Sequence, residues 1–175
     1  IDATIIGDGS ISNTEFQHLN NVSGNIQSQI DNITAGTASQ TINITVKVAD
    51  DGSGSQNVFY FLSGTDGGAG TRSTSFIFKV GFKYYFDLSD SSLSGHNFKF
   101  STTKDGTHGG GSEFTTNVTS SGSPGSANAY VQLEVTPETL GTATATGSTV
   151  GTLYYYCSNS GHSGMGGEGR LSLFP

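Results

Sequence analysis

Cys157, His162 and Met165 fall within nine residues in Tyr154-Tyr-Tyr-Cys157-Ser-Asn-Ser-Gly-His162-Ser-Gly-Met165, at the end of a tyrosine-rich strand pattern and in the loop after it. A second imidazole, His96, stands 61 positions before the cysteine in Leu93-Ser-Gly-His96-Asn-Phe-Lys-Phe100, where an irregular segment enters another strand pattern. A thiolate, two imidazoles and a thioether are soft or borderline donors, and two His with one Cys and a weak axial Met form the ligand set of a type 1 copper centre. The spacing suits it: one ligand comes from a neighbouring strand, and the other three share one loop that closes over a metal. Taken singly, each residue has an ordinary explanation, since a lone Cys at a strand end is commonly a small buried hydrophobe. The expectation of copper rests on the four types together. With only one cysteine in the chain, no disulfide forms within it.

Period-two patterning supplies the strands that must carry these residues. Ile42, Ile44, Val46 and Val48 alternate with polar residues, and further strands are expected at 58–62, 75–80, 84–88, 97–101, 114–118, 130–135, 153–157 and 170–174. Clusters of Gly, Ser, Asp and Asn separate them. Seven to nine short strands over about 135 residues predict an all-β fold, an antiparallel Greek-key sandwich over 41–175. Residues 1–35 read differently. Phe16, Leu19, Val22, Ile26, Ile30 and Ile33 recur at threes and fours, with Ser12 or Asn13 as N-cap and Gly24 as a break, which predicts a short helical N-terminal stem. Helices this short need a partner surface, so self-association through 1–35, most simply as a trimer, is expected, the alternative being an N-terminal arm that lies on its own domain. Residues 36–40 form the linker. His18 falls in that helical seam and reads as structural.

Composition narrows the function. Of 175 residues 33% are apolar, 12% charged and 26 are Gly, a balance unlike a helical bundle or a charged disordered tail. A net charge of −7 repels phosphate backbones, so no nucleic-acid partner is expected. No run approaches eighteen consecutive apolar residues, so no membrane insertion is expected. Neither a nucleophile elbow, a phosphate-cradling loop nor a spaced carboxylate pair is present, and no enzymatic activity is expected. Asp105, His108 and Glu113 gather in a glycine-rich segment and read as an exposed loop rather than a second metal site.

Two resemblances extend this reading. The order His96-Asn97, then Cys157 closing an aromatic strand, then His162 and Met165 in the next loop, resembles the cupredoxins. That resemblance covers about 41–175 and implies a cupredoxin-like sandwich, copper held by His96, Cys157, His162 and Met165, and Asn97 bracing the ligand loop beside the sulfur. Ile11-Ser-Asn-Thr-Glu15-Phe-Gln-His-Leu19, followed by Asn25-Ile-Gln-Ser-Gln29, resembles the repeated segment of tailed-phage fibre proteins, and the Tyr-Tyr-Cys-Ser-Asn and Asp-Gly-Thr-His-Gly-Gly-Gly segments look like parts of marine bacteriophage and cyanophage structural proteins. These imply a virion structural protein, a fibre, spike or capsid-surface appendage, whose partners are other virion proteins and a host surface receptor. Tyr60, Tyr84, Tyr85 and Phe114 are the candidate display aromatics. The alternative is a blue-copper electron-transfer protein.

Overall fold

The computed structural model describes residues 40–52, 57–62, 71–72, 75–146 and 151–172, all within one compact unit, 38–175. The helical stem and its trimer, the fibre-like segment and His18 lie outside the described residues. Ten strands run in order: β1 (Gln40–Asp50), β2 (Asn57–Leu62), β3 (Thr71–Arg72), β4 (Phe76–Lys79), β5 (Phe82–Asp87), β6 (Lys99–Ser101), β7 (Val118–Ser121), β8 (Tyr130–Glu134), β9 (Thr152–Tyr156) and β10 (Gly167–Ser172). A single described helix, α1 (Pro137–Ala145), lies between β8 and β9. The strands form a six-stranded sheet, β3-β2-β1-β5-β8-β7, and a four-stranded sheet, β4-β10-β9-β6.

Both sheets are mixed, which corrects the expectation of a purely antiparallel fold. β1 runs parallel to β5, and β10 runs parallel to β4. The reason is the path: after β2 and β3 the chain leaves for β4 in the other sheet and re-enters beside β1 through β5, a crossover rather than a hairpin. Gly81, at φ 90°, turns that corner, and the Tyr84 hydroxyl ties it by accepting from the Lys79 N–H at 2.8 Å and donating to the Ile77 carbonyl at 3.0 Å. Tyr84 is therefore buried, as is Phe114, and neither is a display aromatic; Tyr60 and Tyr85 keep partial exposure. The expected strand at 114–118 shrinks to one bridge, Phe100 to Phe114, because Asn117 takes a left-handed φ of 55° and the strand starts only at Val118.

Helix α1 has no strong apolar stripe but a well-formed start. Pro137 occupies the first turn, and Thr136 and Thr139 close a reciprocal capping box, each side chain accepting from the other's backbone N–H.

The core is aromatic. Phe59, Phe61 and Phe86 from the larger sheet meet Phe78, Phe98, Phe100 and Tyr155 from the smaller side, all of them buried. Phe61 meets Tyr155 edge-on at 5.0 Å, Phe59 meets Phe98 edge-on at 5.2 Å, and Phe98 lies stacked on Tyr155 at 5.6 Å and 20°. Such pairs each add about 0.5–1.5 kcal/mol beyond burial. Phe86 touches Phe61, Phe76, Phe78, Phe98 and Phe100. Replacing Phe86 by Ala is expected to cost about 3–5 kcal/mol in urea denaturation; a loss under about 1 kcal/mol would contradict this packing.

Candidate metal centre

The site is built where β6 and β9 diverge. These strands pair antiparallel with Lys99 opposite Tyr156 and Phe100 opposite Tyr155. Extending that register past the strand ends sets Phe98 against Cys157 and Asn97 against Ser158, which brings the segment carrying His96 to the thiol. Asn97 holds the junction. Its Oδ1 accepts the Ser158 N–H at 2.7 Å, while its Nδ2 donates to Ser158 Oγ at 2.9 Å and Asn159 Oδ1 at 2.7 Å. Asn159 Nδ2 in turn donates to the Gly95 carbonyl at 2.6 Å. Asn97 and Asn159 thus tie the segment carrying His96 to the chain just after Cys157.

Each ligand-bearing segment has its own local support. Before His96, a 3₁₀ turn (Ser91–Leu93) is capped by the Asp90 carboxylate, which accepts the Ser92 N–H at 3.0 Å, and is anchored by fully buried Leu93. The His96 N–H then donates to the Leu93 carbonyl at 2.8 Å. After β9 the chain makes two turns that share His162. The His162 N–H donates to Asn159 O at 3.1 Å, and the Met165 N–H donates to His162 O at 3.4 Å. Gly161 and Gly164 sit third in these turns at φ 81° and 84°, the position and sign that a type II turn requires. The tandem turns explain the interval of five from Cys157 to His162 and of three from His162 to Met165.

The result is a convergent cluster. The ligand atoms of His96, Cys157 and His162 all lie within 4.8 Å of one another, with Cys157 Sγ 3.2 Å from His162 Nδ1. The two imidazole rings face each other at 4.6 Å and 31°. Cys157 is fully buried and the imidazoles are partly so. Met165 is buried as well and belongs to the same apolar cluster as Cys157. His96 Nδ1 is buried with no hydrogen-bond partner among the described residues. An unsatisfied buried nitrogen costs about 1–3 kcal/mol, and a metal ion is a partner that would satisfy it. Donors at about 2.0–2.3 Å from one ion sit closer together than 4.8 Å, so small ring rotations would complete the shell. The donor set, one thiolate and two imidazoles, fits a soft or borderline metal.

Burial shifts two of these groups toward their neutral forms. Burial pushes the Cys157 thiol above its ordinary range, and the backbone N–H groups of Asn159 and Asn97, which donate to the sulfur, oppose that shift. Burial holds His96 below the usual histidine range, and the neighbouring His162 adds to the effect.

The loop read from sequence as exposed proves to be part of this centre. Asp105 accepts from Ser163 Oγ and from the Gly164 N–H, and His108 Nε2 meets the Cys157 carbonyl at 2.9 Å. Glu113 instead pairs with Lys99 at 2.6 Å, so the three residues form no second metal site. Nothing in their spacing pointed to Cys157; only the Asp105-Gly106 step, a frequent left-handed turn signal, marked a fixed conformation.

No family model, curated protein or solved structure matches the chain.

Replacing Asn97 by Ala removes the link between the two ligand segments and is expected to cost about 1–3 kcal/mol in denaturant unfolding. Ser160→Ala, at an exposed position of the same loop, is expected to change stability by less than about 0.5 kcal/mol. Equal effects of the two would remove Asn97 from its bracing role.

Proposed function

We propose that this chain carries a cupredoxin-like Greek-key domain binding one copper ion through His96, Cys157 and His162, with Met165 as the weak axial ligand. The observation that carries it is the convergence of the three ligand atoms within 4.8 Å, in a site where His96 Nδ1 is buried with no hydrogen-bond partner among the described residues. Bound copper would supply a one-electron Cu(II)/Cu(I) couple. The protein's part is to hold two imidazoles and one sulfur together at the edge of its core, and to lose the thiol proton to solvent on loading. The Asn97 and Asn159 N–H groups stabilise the resulting thiolate. Because Cys157 lies beneath the loop in the core, the ligands are set by the fold rather than gathered by the ion. That arrangement favours electron transfer, which needs little rearrangement between oxidation states.

A second element of the reading concerns where the chain works. The fibre-like pattern in residues 11–32, above all Asn25-Ile-Gln-Ser-Gln29, supports a virion structural protein that displays this domain on an oligomerising stem at the virion surface, for attachment or decoration. Tyr60 and Tyr85, partly exposed, remain as contact residues for a receptor.

Cu(II) titration of the metal-free chain is expected to give one copper per chain and an intense visible thiolate-to-copper band, absent in Cys157→Ser and shifted in Met165→Leu. Retention of the band in Cys157→Ser would sink the assignment. The setting has its own test by sedimentation at micromolar concentration: the full chain as a trimer and the chain lacking residues 1–35 as a folded monomer. A full chain that sediments as a monomer would remove the stem.

A further inference from the structure

The loop between Cys157 and Met165 is gripped from a segment 58 and 59 positions earlier. We infer that Asp105 and His108 are positioning residues that brace the ligand loop from outside, so that the spacing of Cys157, His162 and Met165 depends on a 3₁₀ turn that contributes no ligand. The role deepens the copper reading, and rests on it only for the spectroscopic arm of the test.

Both carboxylate oxygens of Asp105 are committed to the loop. Oδ2 accepts from Ser163 Oγ at 2.5 Å and Oδ1 accepts from the Gly164 N–H at 3.0 Å. Ser163 and Gly164 are the two residues that separate His162 from Met165, so one carboxylate holds the middle of the second turn. The turn's own closure is long, 3.4 Å from the Met165 N–H to His162 O, near the limit of a useful hydrogen bond. A bond to a charged acceptor is the stronger of the two kinds. The hold on this turn is therefore external.

A local role for Asp105 is weaker. It precedes the 3₁₀ turn Gly106–Gly109 in the N-cap position, yet its side chain makes no capping hydrogen bond there. Its φ of 59° lies in the left-handed region, which is costly for a residue with a Cβ and least so for Asp and Asn. That conformation aims the carboxylate at the loop instead of at its own turn. The next residue, Gly106, lies so close to the Tyr156 ring that any Cβ would overlap it, which seats the turn directly on β9. Two positions on, His108 Nε2 donates to the Cys157 carbonyl at 2.9 Å. The 3₁₀ turn thus contacts the ligand segment at Tyr156, Cys157, Ser163 and Gly164.

The test uses the full chain, metal-free, with two readouts: amide hydrogen exchange at Gly164, and the rate at which a soluble disulfide reagent modifies Cys157. Asp105→Gly tolerates the positive φ while losing both bonds, Asp105→Asn keeps one acceptor, and Ser163→Ala removes one bond from the other side. In Asp105→Gly both rates are expected to rise about ten-fold or more, and in the other two variants by a few-fold, as local opening becomes easier. His108→Ala is expected to raise the thiol rate while leaving Gly164 exchange within about two-fold, because it frees only the Cys157 carbonyl. With copper bound, Asp105→Gly should also shift the visible band. Wild-type rates in a folded Asp105→Gly would overturn the brace; were that variant to unfold, unchanged rates in both Asp105→Asn and Ser163→Ala would overturn it equally. Faster opening in Asp105→Gly, with no copper band in the parent chain, would leave the brace standing and remove the copper reading.

Discussion

The candidate centre depends on one strand pairing, β6 against β9. Phe98 stacks on Tyr155 across that pair, and Phe59 and Phe61 close on both from the opposite sheet. A slip of one residue would put Phe98 and Phe100 on the face opposite Tyr155, so that the rings of one strand or the other would leave the core. The aromatic core therefore selects the register, and the register carries His96 and Asn97 to the end of β9. The convergence of His96, Cys157 and His162 is a by-product of packing that would be favourable without any metal.

Burial and chemistry pull in opposite directions at the site. Burial lifts the Cys157 thiol and disfavours a charged His96. The same burial strengthens any interaction with an ion that enters. Backbone N–H groups aimed at the sulfur, and a carboxamide that ties Ser158 to the preceding strand, mediate between these demands. The cost is a buried His96 nitrogen with no hydrogen-bond partner among the described residues. Such a cost persists only where the surrounding structure fixes it.

Much of this was legible in the chain, and the remainder was hidden for identifiable reasons. Alternation of apolar and polar residues marks the strands well, because a half-buried strand has a side-chain period of two. It carries no information on direction, so the parallel pairings of β1 with β5 and β10 with β4 were not readable. Helix α1 was missed because Gly141, Thr142 and Thr144 dilute any helical stripe; its signal is the Thr136-Pro137 start. The four candidate ligands could be read from residue identity and order, and the fold brings three of them, His96, Cys157 and His162, together. Asp105 and His108 escaped because their partners are a backbone carbonyl, a backbone N–H and a serine hydroxyl, groups with no distinctive sequence signature. Tyr84 looked like a surface aromatic, yet its ring packs inward and its hydroxyl serves a backbone corner.

X-ray absorption at the copper edge, on the full chain loaded with one equivalent of copper, reads the central claim without relying on colour or activity. The expected result is a first shell of one sulfur and two imidazole nitrogens at bonding distance, with the sulfur lost in Cys157→Ser. A shell of nitrogen and oxygen scatterers alone, in a chain whose Cys157 is fully reduced, would contradict it.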